Sequence, residues 1–279
     1  MSESENASWG NHFRLTASER WKAKSAALGT EVTNTLVEYA APAKGMHVLD
    51  LGSGTGEPGI TLASRVGPTG HVTALDQSAE LLEIASERAR QRGLANFSTC
   101  RAGADTVPFS EHQFDLIASR FAVMFFPDRA LPEAHRVLKP GARACFAAWG
   151  PFEQPYWASM MGIVHKHVGG PPVPEAQNPF RFSQSGSLAS ALTAAGFFAV
   201  EERTVSVPWN WPGTPEELWE YAQSVAAPFR PMIERASAEQ WSAIQREVLA
   251  ALRAHVQGDT VKFNVAVVLA SGTKAQGNA

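Results

Sequence analysis

The stretch VLDLGSGTGEPGI at residues 48–60 constrains the fold of this chain more than any other feature. It places four glycines within eight positions directly after a short apolar run, and they are Gly52, Gly54, Gly56 and Gly59. Glycine tolerates positive φ and lets the backbone approach another group closely. A buried strand followed by such a turn is typical of an α/β protein whose turn holds a polar ligand.

Apolar runs and helical patterns alternate along the rest of the chain. Strands are predicted at 46–51, 71–76, 97–102, 114–119, 142–149, 197–207 and 261–270, with helices at 57–66, 78–92, 128–138 and 187–195. Ser78 is a predicted helix cap, and Gly67 and Gly93 are predicted helix ends. This order predicts an α/β fold with a doubly wound, mostly parallel, seven-stranded sheet.

The segments outside this alternation predict caps and insertions around a ligand-binding core. The predicted division is an N-terminal helical cap at 1–44 with two short helices around Gly29, a core at 45–149, a cap insertion at 150–184, more core at 185–207, a helical insertion at 208–260, a last strand at 261–270 and a tail at 271–279. The insertions therefore fall after strand 5 and between strands 6 and 7.

Composition excludes several classes of partner. A chain of 279 residues with 44% hydrophobic residues can bury a large core, and its net charge of −3 gives no reason to expect nucleic acid. The polar opening and the lack of a long apolar run predict a cytoplasmic protein without a membrane segment. Cys100 and Cys145 are too few for a disulfide framework or a metal site, so no metal is expected. The oligomeric state is not indicated.

Two ligand patterns compete at the glycine-rich turn. Residues 54–59, GTGEPG, fit the G-x-G-x-x-G pattern of dinucleotide-binding folds, whereas residues 50–56, DLGSGTG, fit the acidic loop that holds S-adenosylmethionine. Asp76, twenty residues after Gly56, does not separate them, because both ligands carry a ribose that an acid can bind. The layout favours the second pattern, since a long excursion without a crossover strand joins the last two strands.

Five segments carry a resemblance to a known family, and together they cover roughly residues 44–150. They are VLDLGSGTG at 48–56, VTALDQS at 72–78, AGADTVPF at 102–109, FDLIASRFAVMFFPD at 114–128 and VLKPGARACFAAW at 137–149. In this order they resemble class I S-adenosylmethionine-dependent methyltransferases, in particular the ubiquinone/menaquinone-type small-molecule branch. The resemblance implies S-adenosyl-L-methionine as cofactor and in-line transfer of its methyl group to an O, N or C atom of a small, apolar or aromatic acceptor.

The resemblance also implies which residues contact the cofactor. Asp50 orients the loop or meets the ammonium group, Asp76 accepts the ribose hydroxyls, and Gln77 flanks the adenine. The turn itself contributes Gly52, Ser53, Gly54 and Gly56. At the adenine the sequence departs from the family, because Gly103 stands at the usual aspartate position. Ala104 then supplies the amide donor, and the role of Asp105 stays open between a shifted adenine contact and none.

Residues after the fourth strand border the predicted transfer site. Arg120 is assigned to the ligand carboxylate, to an acidic acceptor or to a surface ion pair. Phe121 is assigned to the wall of the site, and Phe125 and Phe126 to packing under the next helix. Seven of the eight tryptophans lie outside the core, and Trp21 is the predicted lid over the cofactor.

No catalytic base can be assigned from the sequence. The candidates His12, His165, His167, Tyr39 and Tyr156 form no recognisable constellation. Three alternatives to methyl transfer therefore stay open: an S-adenosylmethionine enzyme of different chemistry, such as a cyclisation or decarboxylation, an NAD(P) oxidoreductase, and a non-enzymatic binding module.

Overall fold

The computed structural model describes residues 20–276, which divide into two compact units. One unit, the sheet unit, comprises Val32–Trp149, Arg181–Val205 and the described part of Val267–Ala279. The other, the cap unit, comprises the described part of Met1–Glu31, Gly150–Phe180 and Ser206–Ala266. The predicted division into a cofactor-binding core and caps stays a prediction.

The strands form one sheet whose first five members are parallel. Their bounds are β1 His47–Leu51, β2 His71–Asp76, β3 Phe97–Arg101, β4 Phe114–Arg120, β5 Leu138–Trp149, β6 Phe198–Pro212, β7 Val256–Gln257 and β8 Thr260–Thr273. The order across the sheet is β3-β2-β1-β4-β5-β8-β6, and the two-residue β7 pairs with β8 beside this path. Strand β8 runs antiparallel to β5. The predicted α/β class and mostly parallel seven-stranded sheet are confirmed, with β7 as an addition.

The helices have the bounds α1 Lys22–Ala40, α2 Gly59–Val66, α3 Ala79–Gln91, α4 Ala130–Val137, α5 Pro155–Trp157, α6 Ile163–Val168, α7 Ser187–Ala194, α8 Pro215–Val225, α9 Arg230–Ile233 and α10 Ala238–Arg253. A π-helical turn, Ala158–Gly162, joins α5 to α6. The predicted cap of α3 is confirmed, because the Ser78 hydroxyl accepts a hydrogen bond from the Leu81 amide. Apolar side chains bury one face of this helix against the sheet, namely Leu81, Leu82, Ala85 and Ala89.

Two predicted features are wrong. The prediction of two short helices around Gly29 fails because α1 continues through it, with Leu28, Val32 and Leu36 buried at helical spacing. The prediction that β6 ends at residue 207 fails because alternate residues stay buried to Trp211, so the strand runs on to Pro212. The first 19 residues of the predicted N-terminal cap, with His12, lie outside the described residues.

Within residues 20–276, the helices are all too short or too polar for a bilayer crossing.

Candidate cofactor site

Polar side chains collect where the parallel strands end. Asp50 precedes the last residue of β1, Asp76 ends β2, and Ser119 and Arg120 end β4. The pairing of β1 with β2 and with β4 is parallel, so these ends meet at one edge of the sheet. Ligands of open α/β sheets bind at this edge.

The glycine-rich turn passes over this edge in a conformation that its glycines permit. Gly52, Gly54 and Gly56 all have positive φ, at 74°, 53° and 108°. A Cβ atom on Gly52 would lie 2.5 Å from the Cβ of Ala122, and one on Gly56 would lie 2.6 Å from Ile60. At Gly54, by contrast, no described residue other than Gly54 and its two chain neighbours has an atom within 4 Å of the place that a Cβ would take. Gly54 is therefore the glycine of this turn that leaves space for a ligand, whereas Gly52 and Gly56 are required by the protein's own packing.

This difference predicts unequal effects of two alanine substitutions on stability. The new methyl group of Gly52→Ala would push the Ala122 and Phe126 side chains away from residue 52. We therefore expect a loss of about 2–4 kcal/mol in the free energy of unfolding. Gly54→Ala adds only the strain of a left-handed alanine, about 1 kcal/mol. Urea unfolding of both variants measures the difference, and equal losses would contradict the assignment of open space at Gly54.

Asp50 is a buried carboxyl group with one satisfied oxygen. Its Oδ2 accepts a hydrogen bond of 2.8 Å from the Gly59 amide, and its Oδ1 is buried without a partner in the described structure. Burial raises the pKa of Asp50 to about 8, although the Gly59 amide and the nearby Arg120 charge oppose the rise. Asp50 is therefore mostly neutral at pH 7, and a cation beside Oδ1 would favour its ionised form.

Asp76 already ties the turn to the next helix. Its Oδ2 accepts a 2.9 Å hydrogen bond from the Gly54 amide, and its Oδ1 accepts one of 3.0 Å from the Ser78 amide. Each carboxylate oxygen has further acceptor capacity, so these bonds leave room for ligand hydroxyls. The carboxylate thus fixes the backbone at Gly54 as well as offering acceptors of its own.

The end of β4 carries a cation and a strained aromatic residue. The Arg120 Nη1 donates a 2.6 Å hydrogen bond to the Thr33 hydroxyl on α1, and the predicted roles of Arg120 stay predictions. Phe121 has φ of 56° and stacks on Trp149 with ring centroids 4.1 Å apart and planes within 5°. The Ser119 hydroxyl beside them is buried without a partner in the described structure. Such strain in a non-glycine residue is typical of functional sites.

Residues 102–109 are the segment predicted to contact the adenine. In this segment the Asp105 carboxylate lies next to Gly103, where the resembling family has an aspartate. A Cβ atom on Gly103 would lie 2.6 Å from the Asp105 Oδ1, so the Asp105 side chain occupies the start of that missing side chain. Gln77 is exposed, and its backbone carbonyl oxygen accepts a hydrogen bond from the Arg101 side chain. Ala104 is half-buried between Gly103 and Asp105.

Sequence reasoning missed three residues that shape this site. Arg88 on α3 hydrogen-bonds Thr55 in the turn, and Thr33 holds Arg120. Phe126, predicted to pack only under the next helix, would have its ring 3.2 Å from a Cβ on Gly52. No local pattern signals any of these contacts, because each joins segments that are far apart in sequence.

Trp21 and most of the base candidates belong to local clusters elsewhere in the chain. Trp21 lies in the cap unit, where its ring meets Trp211 edge-on at 5.5 Å, and its predicted place over the cofactor stays a prediction. Burial raises the pKa of Tyr156 far above its usual range, which makes it a poor base. The other candidates have partners of their own: His165 with the Gly170 carbonyl, His167 with Glu247 and Tyr39 with Ser271.

Metal ligands are not grouped in this part of the molecule. Among the described residues, no set of three or more histidine, cysteine, aspartate or glutamate side chains is placed to hold a metal ion.

The fold and the turn define a Rossmann-like α/β domain with a candidate ligand site at the ends of β1, β2 and β4. Residues 42–158 match the family described as "Methyltransferase domain". This part of the chain is a class I S-adenosylmethionine-dependent methyltransferase domain, as its resemblance implied.

Two curated relatives agree with this assignment, and a solved structure has a similar fold. The demethylmenaquinone methyltransferase of Listeria welshimeri is 34% identical over 128 residues, covering 45% of this chain and 54% of that protein. The ubiquinone/menaquinone biosynthesis C-methyltransferase UbiE of Brucella anthropi is 35% identical over 127 residues, covering 44% and 48%. The chain therefore spans about half the length of the curated relatives it matches. A SAM-dependent methyltransferase structure from Aquifex aeolicus is similar in fold, with a TM-score of 0.51, 24% identity and coverage of 68% of this chain and 92% of that one.

Proposed function

We propose that this chain is an enzyme that binds S-adenosylmethionine and transfers its methyl group to a small acceptor. The observation that carries the proposal is the open space at Gly54, which lies on a turn held by two carboxylates at the carboxyl edge of a methyltransferase sheet. S-adenosylmethionine has an ammonium group and a ribose, and both can donate hydrogen bonds to carboxylate oxygens.

The polar atoms of the site fit the parts of this cofactor. The unpartnered Oδ1 of Asp50 suits the ammonium group, and the remaining acceptor capacity of Asp76 suits the ribose hydroxyls. The Arg120 guanidinium suits the ligand carboxylate. The position of the Asp105 carboxylate over Gly103 favours the alternative in which Asp105 accepts from the adenine amino group and the Ala104 amide donates to the ring.

The remaining predicted contacts belong to the same proposal. Gly52, Ser53 and Gly56 shape the turn, and Gln77 flanks the adenine at the exposed end. The predicted lid role of Trp21 stays a prediction. Ser53 has a buried hydroxyl without a partner in the described structure, and so offers a donor to a bound ligand.

The chain's own contribution to the reaction is positioning and exclusion of water. The bound cofactor would supply an electrophilic methyl group on a positive sulfur. Phe121 is fixed by its stack on Trp149 and by the hydrogen bond that its backbone amide donates to the Ala147 carbonyl, and it would form an apolar wall beside that sulfur. Correct placement of two reactants in a dry site supplies much of the rate of such a displacement. No residue is assigned as a base.

The acceptor is proposed to be a small apolar or aromatic molecule. Two observations support this class: the aromatic wall at Phe121, and relatives that are named as quinone methyltransferases. Net charge of −3 gives nucleic acid no electrostatic advantage as a partner, and a cytoplasmic location is part of the same proposal.

Calorimetry with three ligands tests the cofactor assignment. We expect the purified protein to bind S-adenosylmethionine and S-adenosylhomocysteine and not NADH, and we expect Gly54→Ala to remain folded while losing both interactions, because its methyl group enters the open space. Binding of NADH alone would indicate the oxidoreductase alternative, and binding of none of the three would indicate a non-enzymatic module. Demonstrated cofactor binding without methyl transfer to a panel of phenols and quinols would favour the cyclisation or decarboxylation alternative.

A further inference from the structure

The middle of the glycine-rich turn is held by a residue from a different helix. The ends of the turn are fixed by the sheet, since the Gly52 and Ser53 amides both donate to the Leu75 carbonyl and the Gly59 amide donates to Asp50. Between these ends, the Arg88 Nη1 donates to the Thr55 carbonyl at 3.1 Å and to the Thr55 hydroxyl at 2.7 Å. Arg88 lies on α3, 33 residues further along the chain.

The charged guanidinium of Arg88 is partly buried, and burial disfavours its charged form. Burial lowers the pKa of its guanidinium, although the nearby Glu57 carboxylate opposes this effect. The Glu57 carboxylate itself accepts hydrogen bonds from the Thr61 amide and hydroxyl, at 3.1 and 2.7 Å, and from Arg92 at 3.3 Å. An apolar side chain at position 88 would pack on the helix without this desolvation. The two bonds to Thr55 are what the arginine adds.

Thr55, which accepts the hydrogen bonds from Arg88, is next to Gly54, the glycine with open space beside it. Thr55 follows Gly54 directly, so a fixed Thr55 carbonyl also fixes the orientation of the Gly54–Thr55 peptide. With the Gly54 amide held by Asp76 on one side, the turn is restrained on both sides of its open position. A turn fixed in advance loses less conformational entropy when a ligand binds.

We propose that Arg88 is a positioning residue for the cofactor turn, acting through Thr55 and without contact to the ligand. The proposal rests on the proposed function, because the turn is taken to bind S-adenosylmethionine. It assigns a role that neither the glycines nor the two carboxylates fulfil.

The test is a double-mutant cycle measured on S-adenosylhomocysteine affinity. We expect Arg88→Met to weaken binding about 5- to 30-fold, Thr55→Val to weaken it less, and the double variant to resemble Arg88→Met alone. Arg90→Met is the matched control, since Arg90 lies on the same helix but pairs with Glu87. It should bind like the parent protein.

Hydrogen exchange gives a readout that needs no ligand. In Arg88→Met the amides of residues 53–57 should exchange faster than in the parent protein and in Arg90→Met, while amides of β1 and β2 remain unchanged. A lowered melting temperature with unchanged affinity and unchanged exchange in the turn would overturn the proposal, as would additive effects of the two substitutions. If the parent protein does not bind S-adenosylhomocysteine at all, the proposed function fails, whereas the exchange comparison still decides whether Arg88 restrains the turn.

Discussion

Replacement of Asp50 by asparagine is expected to make the ligand-free protein more stable at pH 8 and to abolish most of its cofactor affinity. The reason is the buried carboxyl group, whose pKa of about 8 lies far above its value of about 4 in an unfolded chain. Asparagine keeps an acceptor for the Gly59 amide and has no charge to bury.

The direction of the pH dependence follows from proton binding. Between pH 4 and pH 8 the folded state holds a proton on Asp50 that the unfolded state has lost, so stability falls as pH rises, by about 1.4 kcal/mol for each pH unit. The contribution is fully present below pH 4 and is lost as pH rises to about 8. Asp50→Asn removes this slope. Its melting temperature relative to the parent protein should therefore increase steadily from pH 5.5 to pH 8.

Ligand binding should show the opposite dependence. A ligand ammonium group beside Oδ1 needs the ionised carboxylate, and with a pKa of about 8 the ionised fraction rises about 20-fold between pH 6 and pH 7.5. We expect the affinity for S-adenosylhomocysteine to rise by about that factor and binding to release close to one proton, measured by calorimetry in buffers of different ionisation enthalpy. Asp50→Asn should bind about 100-fold more weakly at pH 7.5 and show no such rise.

The two histidines with shifted pKa values do not produce the fall in stability with rising pH that we expect from Asp50. Burial lowers the pKa values of His71 and His135, so both histidines make stability rise with pH in the region of pH 5–7. Comparison of the variant with the parent protein cancels their contribution. If both proteins have the same pH profile of stability and of binding, Asp50 is not the linked group.

The parts of the fold that the sequence predicted depend on local signals. Apolar runs of five or six residues became β1 to β4, and Ser78 and Gly93 marked the ends of α3 because capping and left-handed turns depend on the residue itself. The positions of Asp50 and Asp76 at the carboxyl edge of the sheet were predictable for the same reason, since each lies at or next to the end of an apolar strand. Their contacts with a ligand stay predictions.

The parts that failed depend on packing between distant segments. The sequence predicted separate helices around Gly29 and a strand that ends at residue 207, yet α1 continues across a buried glycine, and β6 keeps its alternation of buried residues through Pro208. An edge strand tolerates proline because one side of its backbone needs no hydrogen-bond partner, and β6 is the outermost strand. Arg88 and Thr33 could not be found at all, because a lone helical residue carries no sign of a partner 33 or 87 residues away.

Replacement of Asp76 by alanine is expected to affect both stability and cofactor binding. From the sequence alone this carboxylate has only a ligand to bind, so its loss should leave the melting temperature almost unchanged. The structure changes that expectation, because the Gly54 and Ser78 amides both lose their acceptor. An unsatisfied amide costs on the order of 1–3 kcal/mol where water cannot replace the partner. We expect a loss of about 1–3 kcal/mol in the free energy of unfolding, measured in urea without ligand.

The affinity for S-adenosylhomocysteine should fall by about 100-fold or more, because the ribose hydroxyls lose a charged acceptor and the turn loses a restraint. An analogue that lacks the ribose 2′-hydroxyl separates the two causes. The parent protein should bind this analogue more weakly than S-adenosylhomocysteine, whereas Asp76→Ala should bind both equally, because its ribose acceptor is already gone. Asp76→Asn keeps one acceptor oxygen, so its stability and its affinity should lie between those of the parent protein and those of Asp76→Ala. If Asp76→Ala still prefers the ligand with the 2′-hydroxyl by the same factor as the parent protein, Asp76 does not bind the ribose, and its role is limited to holding Gly54 and Ser78.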